Sequence, residues 1–170
     1  AAKPAPKPAA KKPAAKPVED NDLGPNTGGM GAVASPSLVE PKLMKRIEEE
    51  IVRPTVLGLE KDNNPYRGFL YFGLMLTADG PKVIEYNCRF GDPECQAVLP
   101  LIKGDLAGYL LKAAAGVLDA TYFAFQDAWS VCLVSASANY PASSRNGDVI
   151  SGLDQVSDDV RVYHAGTKKN

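Results

Sequence analysis

A chain of 170 residues with 45% hydrophobic and 23% charged side chains has the composition of a soluble domain, with room for part of a second. The net charge is -1, but five lysines sit within residues 1–17; the remainder carries 14 basic against 20 acidic residues, a net of -6, which argues against nucleic acid as a partner. No apolar run approaches the ~20 residues of a membrane helix, and a single histidine, His164, leaves little material for a histidine relay.

Residues 1–17 contain only Ala, Lys and Pro. With no apolar side chain larger than proline they build no core, and five prolines favour extended geometry, so residues 1–22 are expected to be a disordered tail. The start without methionine reads as a processed end or a fragment. Order is expected from about Leu23. The string G-P-N-T-G-G-M-G-A, residues 24–32, suggests a ligand-facing loop, because clustered glycines allow positive φ and close backbone approach. Asn26 and Thr27 add short polar groups to Gly28, Gly29 and Gly31.

Residues 41–52 predict an amphipathic helix, with Leu43, Ile47 and Ile51 at i, i+4 and i+8 and Glu48, Glu49 and Glu50 on the solvated side. Pro54 should end it or open a second short helix through Gly58. Residues 68–77 and 82–88 then predict two strands joined by the turn Ala78-Asp79-Gly80-Pro81, an antiparallel hairpin. Apolar residues on both faces of the first strand suggest a covered, central position.

The run K-V-I-E-Y-N-C-R-F-G-D-P-E, residues 82–94, carries the chemistry. Alternate side chains of a strand share a face, so Glu85, Asn87 and Arg89 point together. A carboxylate beside an amide oxygen suits Mg²⁺, which takes one or two such ligands plus phosphate oxygens. An arginine two residues on can hold a phosphate or carboxylate with its planar fork. Cys88 is read as a small buried filler rather than a catalytic thiol. Cys88, Cys95 and Cys132 form no C-x-x-C pair, so a disulfide framework is not expected and a reducing cytoplasm is.

Residues 93–102 and 105–115 predict helices. Asp105 caps the second, Leu106, Leu110 and Leu111 face inward, and Gly116 closes it. Residues 128–138 return to strand character, turns fall at Asn139-Tyr140-Pro141 and Asn146-Gly147-Asp148, and residues 160–163 suggest another strand. The expected class is α+β. The expected domains are residues 23–127 and a smaller β-rich domain over residues 128–170.

Taken in order, G-P-N-T-G-G-M-G-A, the hairpin ending in I-E-Y-N-C-R-F-G-D-P-E, and the late N-Y-P and Y-H-A-G-T strings resemble the glycinamide ribonucleotide synthetase family of ATP-grasp ligases. The resemblance runs from about Leu23 to Thr167. It implies the C-terminal half of an ATP-grasp domain, an antiparallel sheet with helices, followed by the start of a C-terminal domain. It also implies a purine-biosynthesis reaction in which ATP phosphorylates glycine and 5-phosphoribosylamine attacks the acyl phosphate. Under it, Glu85 and Asn87 match Mg²⁺ (or Mn²⁺) ligands and Arg89 is the catalytic anion-binding residue. Asp92 and Glu94 orient Arg89 or meet the substrate amine, and the segment from Asn26 to Gly31 lines the substrate pocket. The family's N-terminal half, with its nucleotide-clamping lysines and glycine-rich flap, has no counterpart in these motifs. The chain therefore reads as an internal piece, inactive alone. The competing expectations are a non-catalytic tethered binding module and, more weakly, another ATP-grasp ligase or carboxylase.

Overall fold

The computed structural model describes residues 16–19, 23–119 and 123–169. Most of the expected tail lies outside the described residues. Its last stretch does not: Lys16–Glu19 forms strand β1, antiparallel to β2, Leu23–Thr27, with Lys16 opposite Thr27. The fold separates into two compact units, Ala1–Ser135 and Ala136–Asn170.

The glycine-rich segment expected to be a loop is mostly strand. β2 takes in residues 24–27, and Gly31–Ala34 forms β3, antiparallel to β8, Ser130–Leu133. Only Gly28, Gly29 and Met30 link β2 to β3, and the Val134 N–H donates to the Met30 carbonyl at 2.9 Å. Ladder pairing satisfies backbone groups that a loop would leave to water, and that outweighs the poor strand propensity of glycine.

Pro41–Ile47 forms α1 and Arg53–Lys61 forms α2, joined without a break by a π-helical stretch, Glu48–Val52. Of the two outcomes expected at Pro54 the second is met: a further helix, α2, opens with Pro54 in its first turn and runs through Gly58, continuous with α1. Proline has no N–H to return, and its ring crowds the carbonyl four residues back. The helix widens just ahead of it, with the Arg53 N–H reaching five residues back to the Glu48 carbonyl. Ile51 is buried, and Leu43 and Ile47 are half-buried on the same stripe. The acidic triplet is solvated, as expected, and ion-paired: Glu48 with Arg53 at 3.0 Å, Glu49 with Lys45 at 3.8 Å and Glu50 with Arg46 at 2.6 Å. Exposed pairs of this kind contribute little, because solvent screens them. Arg46 does more, donating from Nη2 to the Asp79 carbonyl at 3.3 Å and tying α1 to the tip of the following hairpin.

That hairpin is β4, Tyr71–Thr77, and β5, Gly80–Asn87, antiparallel across the two-residue turn Ala78-Asp79. It forms a two-stranded sheet among the described residues, so the expected covered position is not found: Met75 is 54% and Leu76 58% exposed. Apolar residues on both faces measure what a strand can bury, and here no further described strand pairs with either edge. The Thr55 hydroxyl lies 3.3 Å from that of Tyr86, a contact between α2 and β5.

The helix expected over residues 93–102 is shorter. Glu94–Val98 forms α3, Leu99–Leu101 tightens into a 3₁₀ turn, and Ile102–Lys103 is strand β6, paired with β7, Ala124–Phe125. Pro100 cannot donate back to Gln96, which favours the tighter turn. α3 packs on β3 and β8, and Ala97 and Leu101 are buried there. Leu106–Ala115 forms α4 as expected: Asp105 accepts from the Gly108 N–H at 3.0 Å, and Gly116 closes it in the left-handed conformation at φ 73°. Leu110 and Leu111, expected to face inward, are 38% and 74% exposed.

In the second unit the turn over residues 138–142 is present, but residues 160–163 form no strand; the regular element among its described residues is a 3₁₀ turn, Leu153–Gln155. Strand composition yields a strand only where a partner offers a ladder.

The hydrogen bond from Arg46 holds the Glu50 carboxyl below its ordinary value of 4.5. The folded state therefore favours ionised Glu50, a contribution that is full above pH 4.5 and lost as pH falls through the lower folded value. Denaturation midpoints measured from pH 7 down to pH 3 should fall more steeply for the native chain than for Glu50→Gln. Parallel profiles would show that the pair contributes nothing.

Candidate functional site

The face of the hairpin that carries the expected cation ligands is set by register. Tyr71 stands opposite Asn87, Phe72 opposite Tyr86 and Gly73 opposite Glu85, whereas Leu74 stands opposite Val83. Ile84 is thus an extra residue in β5, a β-bulge. Beyond it, Tyr71, Gly73, Glu85 and Asn87 share one face. On the other face the rings of Phe72 and Tyr86 meet edge to face at 5.3 Å, a stabilising cross-strand pair.

Gly73 makes room for Glu85: a Cβ at position 73 would stand 2.8 Å from Glu85 Cγ. Glu85 and Asn87 are both half-buried, and neither side chain has a hydrogen-bond partner among the described residues. Their oxygens are therefore open as ligands. No group of three His, Cys, Asp or Glu residues able to hold a metal occurs among the described residues. This donor set fits Mg²⁺ in the two-ligand manner, with water and phosphate oxygens completing the shell, and does not fit an all-protein cage.

The chain after β5 folds back on the hairpin's open end. The rings of Phe69 and Phe90 lie 3.7 Å apart. Arg89 is exposed, and its Nη1 donates to the Phe90 carbonyl at 2.7 Å. Asp92 accepts from Gln96 Nε2 at 2.9 Å, and Glu94 Oε1 accepts from the Tyr71 hydroxyl at 3.3 Å. Neither carboxylate pairs with Arg89, so the expectation that they orient the guanidinium is not met. Each of the three has a short local partner instead. Cys88 is exposed rather than buried, with its thiol against the Tyr66 hydroxyl.

Tyr71 is the site residue that sequence reasoning missed. Its phenol is pushed above the ordinary 10.0, first by burial, then by the charge and hydrogen bond of Glu94 and the charge of Glu85, with Arg89 opposing. The strand was legible in sequence; the bulge that sets Tyr71 across from Asn87 was not.

The glycine segment reaches the same loop. A Cβ at Gly29 would collide with Pro93 Cδ, and one at Gly31 would stand 2.8 Å from the Cys132 carbonyl oxygen. Neither these glycines nor Gly28 adopt positive φ. The cluster is thus explained by close approach of backbone to neighbouring chain, not by left-handed turns. Thr27 is buried and Gly28 exposed, while only the backbone of Asn26 is described, in β2. His164 is exposed and lies in the second unit.

A family model for the phosphoribosylglycinamide synthetase ATP-grasp (A) domain matches residues 7–95. The chain is 49% identical over 152 residues to a phosphoribosylamine–glycine ligase of Vibrio parahaemolyticus, covering 88% of this chain and 35% of that protein. It is 46% identical over 155 residues to the ligase of Chlorobaculum tepidum, covering 90% and 36%. Among solved structures it resembles the phosphoribosylamine–glycine ligase of Thermotoga maritima, with a TM-score of 0.64 and 34% identity over 76% of this chain and 32% of that one. The chain therefore spans about a third of the length of the curated relatives it matches.

Two measurements probe this geometry. Gly29→Ala should cost about 1–3 kcal/mol in urea denaturation, because the added methyl meets a proline ring; an unchanged midpoint would refute the close-packing account. Mn²⁺ titration followed by electron paramagnetic resonance should show binding weakened about tenfold, or ~1.4 kcal/mol, in Glu85→Gln. Equal affinity in both chains would remove Glu85 from the ligand set.

Proposed function

Because the chain belongs to the phosphoribosylglycinamide synthetase family of ATP-grasp domains, we propose that it supplies the cation- and anion-binding part of a phosphoribosylamine–glycine ligase. The reaction joins glycine to 5-phosphoribosylamine with ATP, through glycyl phosphate, and yields glycinamide ribonucleotide, ADP and phosphate in purine biosynthesis. The observation that carries this reading is the shared face of Glu85 and Asn87 over Gly73, two oxygen ligands without protein partners.

In this reading Glu85 and Asn87 hold Mg²⁺ or Mn²⁺. The cation offsets charge on the nucleotide phosphates during transfer. Arg89 keeps guanidinium N–H groups beyond the one given to Phe90, and these bind the glycine carboxylate and its acyl phosphate. Asp92 and Glu94 meet the substrate amine, and the backbone from Asn26 to Gly31 lines the substrate pocket beside them. The division into an ATP-grasp portion over residues 23–127 and a C-terminal domain over residues 128–170 goes with this reading. So does a cytoplasmic setting, in keeping with three free cysteines.

The short span relative to the relatives and the exposed apolar side chains of the hairpin favour a companion reading, a module that binds ligands but turns over only alongside the rest of the family's length. A steady-state assay of this chain with ATP, glycine and 5-phosphoribosylamine should show no glycine-dependent ADP release while Mn²⁺ binding persists. Glycine-dependent release would overturn the companion reading in favour of a self-sufficient ligase, and loss of Mn²⁺ binding would remove the ligase reading of the site.

A further inference from the structure

We propose that Tyr71 is a positioning residue of this site: its hydroxyl fixes the Glu94 carboxylate and, through it, the first turn of α3 beside the face that carries Glu85 and Asn87. The inference rests on the reading of that face as cation-binding and of Glu94 as a substrate contact. Tyr71 reaches α3 from the same face, directly across the ladder from Asn87. Its hydroxyl donates to Glu94 Oε1 at 3.3 Å in a part-buried setting.

The other half of the carboxylate is constrained as well. Glu94 Oε2 lies over Gly91, where a Cβ would collide with it and stand 2.9 Å from Glu94 Cβ. Gly91 is itself buried, and its carbonyl accepts the Cys95 N–H at 3.0 Å. A tyrosine on β4 and a bare backbone at Gly91 thus hold one side chain from two sides. Tyr71 is the hydrogen-bond donor to that carboxylate among the described residues. Phenylalanine would keep the ring and the strand but leave a half-buried carboxylate without its donor.

The test uses the full chain and two readouts. In Tyr71→Phe, amide hydrogen exchange at Cys95 and Gln96 should rise about tenfold, the loss of one charge-assisted hydrogen bond, while the β4–β5 amides keep their protection. Glu94→Gln, which leaves the tyrosine in place, should shift the same two amides in the same direction. With Mn²⁺ as probe, paramagnetic broadening at Cys88 should be retained in Tyr71→Phe and that at Glu94 should change at least twofold. Exchange and broadening at Glu94 identical to the native chain would overturn the proposal. Equal acceleration across the hairpin would overturn it too, since Tyr71 would then be packing alone. If Mn²⁺ broadens nothing near the hairpin in the native chain while α3 exchange still responds to the substitution, the cation reading fails and the positioning of Glu94 by Tyr71 stands.

Discussion

One extra residue in β5, Ile84, decides which side chains of the hairpin face one another. The two-residue turn alone would pair Phe72 with Glu85 and Tyr71 with Tyr86, a phenyl ring against the carboxylate. The bulge moves the register by one, so Gly73 faces Glu85 and Tyr71 faces Asn87. A bulge forfeits regular pairing at one position, worth on the order of 1 kcal/mol in hydrogen bonding. What it gives is a face with an open acid, an open amide, a gap and a hydroxyl.

A two-stranded hairpin is marginal by itself in water, so this face depends on contacts made at both ends of the ribbon. At the turn, Arg46 reaches from α1 to the Asp79 carbonyl and is itself held by Glu50. At the open end, the Phe69–Phe90 contact and the Tyr71–Glu94 hydrogen bond fold the following loop back onto the strands. Pro93 is fully buried and closes against Gly29, which couples the β2–β3 link to the same loop. Site residues that lie far apart in sequence are thus braced by pieces whose own secondary structure is short.

Much of this could be read from residues. The hairpin, with its turn expected over residues 78–81 and found at Ala78-Asp79, the alternation of Glu85 and Asn87, the Asp105 cap and the Gly116 stop all rest on local geometry, and the structure keeps them. What failed was non-local. Nothing in the identity of Ile84 announces a bulge. Gly24 to Thr27 carries loop chemistry yet pairs as a strand because a partner is at hand, while residues 160–163 carry strand chemistry and have none. At Pro54 the sequence leaves a stop and a second helix equally open, and a π-turn joins α1 to that second helix without a break. Of the two roles open to Asp92 and Glu94, a contact with Arg89 is not found, because charge sign is legible in sequence and distance is not.

Electrostatics orders the events such a site can support. Between residues 85 and 94 the sequence sets three carboxylates, Glu85, Asp92 and Glu94, against one exposed arginine, Arg89, a local excess of negative charge within a body of net charge -6. A phosphate approaching such a segment meets repulsion unless positive charge is brought to it first. Arg89, being exposed, attracts a carboxylate 4 Å away by only about 1 kcal/mol in bulk water, and by about 4 kcal/mol where the effective dielectric constant falls to 20. Several kcal/mol of transition-state stabilisation therefore require that water be excluded around that guanidinium. Any such gain demands a drier setting than the exposed Arg89 has in this fold.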